Sequence, residues 1–91
     1  MKAFQVLQNG KPCASYNIRG WGGDTFLTKR AAELFMLCWA YPYSLETARA
    51  QEVSFNLGVE YDLGMSDVPV MMAIKEVDVN EEQIYRTFGG E

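Results

Sequence analysis

Between Leu34 and Tyr41 the chain reads Leu-Phe-Met-Leu-Cys-Trp-Ala-Tyr, eight consecutive residues without a charge. Lys29, Arg30 and Glu33 lie just before this run, and Pro42 follows it, which disfavours the α conformation at its predecessor. The pattern predicts a helix over 28–41, starting after Asp24 or Thr28. A helix on the surface of a domain carries one apolar stripe; this one carries an apolar circumference and must be covered on more than one side. On helical spacing Ala31, Leu34 or Phe35, Cys38 and Tyr41 form one stripe, and Ala32, Met36 and Trp39 another. If the first faces a sheet, the second needs a neighbouring helix, a second copy of the chain or a target protein. Trp, Tyr and Met are enriched in interface cores, so Met36 and Trp39 are candidate partner-binding residues, and a homodimer through the 28–41 helix is one alternative.

The remaining elements follow from shorter signals. Residues 2–8 place Phe4 and Val6 at strand spacing, 13–18 do the same with Ala14, Tyr16 and Ile18, and Asn9-Gly10 between them is a hairpin turn. Pro12 suits an edge strand or a strand start. Ser44 is an N-cap for a short helix over 45–51, with Glu46 favoured by the dipole. Val53, Phe55, Leu57, Val59, Tyr61 and Leu63 then alternate with polar residues or glycine, which predicts one long strand over 53–63 with Gly58 at a bulge or close approach. Residues 69–77 make a fourth strand. Asn80-Glu-Glu-Gln opens a last helix carrying Ile84 and Phe88 on one face. The order β-β-α-α-β-β-α predicts an α+β two-layer sandwich, a four-stranded, largely antiparallel sheet with the main helix on one face. At 91 residues this is a single globular domain, 1–91, and a hydrophobic share of 48% is enough to fill one core.

Charge is distributed unevenly. Residues 1–50 carry six bases and three acids, residues 51–91 two bases and nine acids, so a net of +3 is followed by a net of −7. The acidic half disfavours direct contact with nucleic acid and favours a basic protein or nucleoprotein complex as partner. Its candidate contacts are Glu60 and Asp62, on the wet side of the 53–63 strand, and Glu81 and Glu82 at the start of the last helix. The alternative is a solvated face that keeps the chain soluble.

The chain has no histidine, no Gly-x-Ser-x-Gly elbow and no Walker sequence, so the expectation is a protein that is not an enzyme and takes no cofactor. Cys13 and Cys38 cannot complete a four-ligand zinc site alone, and two cysteines in so small a chain suit a reducing, cytoplasmic compartment. No apolar run reaches bilayer length and the start is no signal peptide, so no membrane partner is expected. A second functional reading rests on 19–24, Arg-Gly-Trp-Gly-Gly-Asp, placed between a strand and a helix. Glycine there lets backbone N–H groups approach an anion, so Arg19, Trp21, Gly22, Gly23, Lys29 and Arg30 are a candidate nucleotide or anion site. Asp24 and the absence of a dinucleotide fingerprint weigh against it.

In size, acidity and α+β layout the chain resembles the small inhibitors that phages make against host defence systems, such as anti-CRISPR proteins. The resemblance is one of general character and rests on no shared signature. It implies a viral inhibitor acting in the host cytoplasm by blocking a nucleic-acid-handling complex. The leading expectation from the residues agrees in kind: a non-enzymatic, acidic protein-binding module.

Overall fold

Asn9 and Gly10 both adopt left-handed backbone, with φ of 50° and 81°. That pair of angles is the hairpin turn whose twist matches its strands, and it folds β1 (Lys2–Gln8) antiparallel onto β2 (Lys11–Pro12). The computed structural model describes residues 1–13, 25–40, 44–64 and 67–79. Cys13 continues the pairing, its N–H donating to the Val6 carbonyl at 2.9 Å. Further along the same edge of β1, Thr25 and Phe26 form β3 opposite Gln5 and Phe4. β2 and β3 thus share one edge of β1. The expected strand over 13–18 is described only at Cys13; Ala14, Tyr16 and Ile18 lie outside the described residues.

The other edge of β1 pairs along its whole length with β5 (Met71–Asp78), and β4 (Tyr61–Asp62) pairs with β5 beyond it. The sheet order is β2-β1-β5-β4, antiparallel throughout. Pro12 sits on the outer strand, where its missing N–H leaves no inner ladder bond unmade. The Val6–Ile74 and Leu7–Ala73 pairs point to opposite faces. Val6, Ile74, Met72 and Phe26 belong to the core on the helix side, whereas Leu7, Ala73 and Lys75 belong to the far side.

Thr28 caps α1 (Lys29–Ala40), its Oγ1 accepting from the Ala31 N–H at 3.0 Å. Every residue from Ala31 to Leu37 is buried, so the helix is covered all round over two turns. The sheet covers one side through β1, β3 and β5, and α2 (Leu45–Ala50) packs against the helix as well. Ser44 caps α2 through the Thr47 N–H at 3.1 Å, as its position predicts. Phe26 and Phe35 meet with ring centroids 5.3 Å apart in the middle of the core. Each large side chain buried there contributes about 1.5–3 kcal/mol.

The architecture is the expected α+β layer arrangement, but one strand is not what the alternation predicts. The segment 53–63 is not one strand. The Val59 N–H donates to the Asn56 carbonyl at 3.3 Å and Gly58 has φ 76°, the signature of a type II turn. The chain folds back there, so Phe55 and Tyr61 face each other at 5.0 Å and the Tyr61 hydroxyl accepts from the Asn56 N–H. Leu57 and Val59, expected on the buried face, are left 42% and 44% exposed. Period two reads the same through a tight turn as along a strand, and only Tyr61–Asp62 joins the ladder. The last helix, expected from Asn80, lies outside the described residues.

Candidate functional site

Two clusters of charge are defined by the packing around α1 and β4. The first is internal. Glu33 is 5% exposed, and its Oε2 accepts from the Phe55 N–H at 2.7 Å and pairs with Lys29 at 3.3 Å. Arg30 approaches the same carboxylate at 3.8 Å. The Arg30 guanidinium also donates to the carbonyls of Arg49, Gln51 and Val53 at 3.3, 3.0 and 3.2 Å. These carbonyls end α2 and begin the segment after it, where a cation meets the negative end of the helix dipole. Lys29 donates to Ser54 Oγ at 3.1 Å. Lys29 and Arg30, two of the three bases expected to hold an anion, thus fasten the 49–55 segment to α1. Arg19, Trp21, Gly22 and Gly23, the other members of that candidate site, lie outside the described residues.

The second cluster is at the surface. Glu52, Glu60, Asp62 and Asp67 are exposed along the 51–67 stretch, with Leu57 and Val59 between them. Gly58 ties this turn to the sheet by donating its N–H to the Ile74 carbonyl at 2.9 Å. The turn is therefore held in place beside β5 while its two aliphatic side chains face water. Leu57 and Val59 are thus exposed large apolar side chains in a stretch of sequence whose acids are exposed as well.

The other expected site residues divide. Glu60 and Asp62 are exposed as predicted, but the Asp62 carboxylate is used within the chain, its Oδ1 accepting from the N–H groups of Gly64 and Val70 at 2.9 and 3.2 Å. It links Gly64 to Val70 and is not spare for a partner in the way Glu60 is. Met36 is fully buried in the core, which corrects its assignment to an interface. Its stripe of α1 is covered within the chain at Ala32 and Met36. Trp39, one turn later, is 36% exposed. Glu81 and Glu82 lie outside the described residues. Leu57 and Val59 were not expected at the surface, and the signal that finds them is Gly58, once it is read as a turn.

Cys13 is buried, with its Sγ donating to Gln8 Oε1 at 3.5 Å, and Cys38 is half-buried against the core. Among the described residues no three His, Cys, Asp or Glu side chains gather as metal ligands would. No helix among them is long and apolar enough to cross a membrane. No family model, no curated protein and no solved structure matches this chain.

Proposed function

We propose that this chain is a non-enzymatic protein-binding module that docks on a basic surface of a nucleic-acid-handling partner and blocks it, acting in the cytoplasm. The observation that carries the reading is the turn 56–59, tied to β5 through the Gly58 N–H, which exposes Leu57 and Val59 next to Glu60 in an acidic stretch of sequence. An apolar pair gives a partner area to desolvate, and the carboxylates of that stretch steer and select a cationic surface. The anion-site alternative is less favoured because the donors of Lys29 and Arg30 are committed to Ser54, to backbone carbonyls and to Glu33. The homodimer through α1 is less favoured because Ala31 to Leu37 are already buried by the chain itself.

A photo-crosslinking amino acid in place of Val59, in the full chain and in an extract of the cells that encode it, tests the reading. It is expected to capture a basic protein, with a yield that falls as salt is raised and falls again with Glu60→Gln. Capture that is indifferent to salt and to Glu60→Gln, or capture of acidic proteins, overturns it.

A further inference from the structure

The face of the sheet turned away from α1 carries an open groove of about 310 Å³ that docking through the 56–59 turn does not by itself require. Leu7 and Ala73, paired across β1 and β5, form its floor. Gly10 and Gly58 form two of its walls and contribute no side chain; a Cβ built on either would meet nothing within 4 Å. Glu60 and Lys75 close the rim. Extending the register of β4 puts Glu60 beside Ala73, diagonal to Lys75 on one face of the sheet. Opposite charges in that arrangement commonly bridge. Here the ion pairs among the described residues are Lys2 with Glu76 and Asp78, and Glu33 with Lys29 and Arg30. Both rim charges face the groove without joining across it.

We propose that the groove seats an extended segment of the partner protein, with one aliphatic or aromatic side chain on Leu7 and Ala73 and an adjacent lysine or arginine against Glu60. The inference rests on the protein-binding reading and names the part of the partner that this surface takes. Two features select such an occupant. The floor is apolar, and Gly10 and Gly58 in its walls carry no side chain, so a side chain can reach it and a backbone can pass close by. Charge then fixes the flanking residue: the exposed acids of 51–79 are Glu52, Glu60, Asp62, Asp67, Glu76 and Asp78, against the single base Lys75. A cationic neighbour gains from that field, and Lys75 is placed to donate to a carbonyl of the docked backbone.

The test pans a phage-displayed library of random 12-residue peptides on the full chain, and measures the best synthetic peptide against wild type, Ala73→Met and Glu60→Lys. Ala73→Met fills the groove from its floor; Glu60→Lys leaves it open and reverses the rim charge. The expected peptides carry an apolar residue next to Lys or Arg, shift the backbone amide resonances of Leu7, Ala73 and Lys75, and bind each variant at least tenfold more weakly. Circular dichroism checks that the variants fold, and Glu60→Lys, at an exposed position, keeps the test decisive if Ala73→Met does not. No enrichment, peptides without a cation, or resonance shifts confined to other surfaces overturn the proposal. Peptides that lose affinity in Glu60→Lys and in high salt yet bind folded Ala73→Met as tightly as wild type remove the groove and leave the acidic docking surface standing. Peptides indifferent to both variants, together with no salt-sensitive capture at Val59, remove both.

Discussion

Replacing Glu33 with alanine removes the carboxylate that joins α1 to the segment leading into the exposed turn. In the native chain its Oε2 satisfies the Phe55 N–H at 2.7 Å and lies 3.3 Å from Lys29 Nζ. The alanine variant orphans a buried backbone donor, which costs about 1–3 kcal/mol. It also removes an i, i+4 ion pair whose lysine is partly exposed, worth only about 0.3–0.5 kcal/mol. Together the two terms give an expected loss of about 1.5–3.5 kcal/mol. For a domain of this size that lowers the melting temperature by roughly 6–28 °C. Glu33→Gln keeps an acceptor for Phe55 and forfeits the charge, and should lose about 1 kcal/mol. Exposed Glu52→Ala is the control, expected within about 0.5 kcal/mol of wild type. Urea denaturation with a common m-value gives all three. An alanine variant within about 1 kcal/mol of wild type, or a glutamine variant as unstable as alanine, would refute the assignment of Glu33 as the anchor.

The remaining expectations are checked by the same unfolding curves. Arg30→Met should cost about 1.5–3 kcal/mol by stranding the carbonyls of Gln51 and Val53, and Arg30→Lys should recover little, because one ammonium cannot match a planar fork. Gly58→Ala should cost about 1–2 kcal/mol from its positive φ alone, since the space around it is open. Gly64→Ala should cost more, because its Cβ would stand 2.5 Å from the Val68 carbonyl oxygen. Met36→Ala should lose about 2–5 kcal/mol as a core truncation, and Trp39→Ala, at a partly exposed position, less. Equal losses at Met36 and Trp39 would place Trp39 in the core as well.

What the sequence made legible was local chemistry. The Asn9-Gly10 hairpin, the Ser44 cap, Pro12 on an outer strand and the burial of α1 on more than one side each follow from one or a few residues acting on their immediate neighbours. What it hid was the partner of each segment. The pairing of β1 with β5 joins segments from opposite ends of the chain, and no short-range signal names it. The 53–63 alternation misleads because a turn and a strand share period two, and only Gly58 distinguishes them. Lys29 and Arg30 look available for an anion because nothing local reveals that the C-terminal end of α2 returns to meet them. At the candidate site, Glu60 is legible as an exposed acid; Leu57 and Val59 are not, since their exposure is a consequence of the turn.

The central claim is that binding runs through the acidic surface beside the 56–59 turn. Its most direct test is the association rate of wild type and Glu60→Gln with the protein captured at Val59, measured across a range of ionic strength. Glu60 alone is changed, because Asp62 also holds the N–H groups of Gly64 and Val70. The account predicts a slower association for the variant and a shallower dependence on salt, with the fold unchanged by circular dichroism. Identical rates and identical salt slopes would contradict it and leave the acidic face as a coat for solubility.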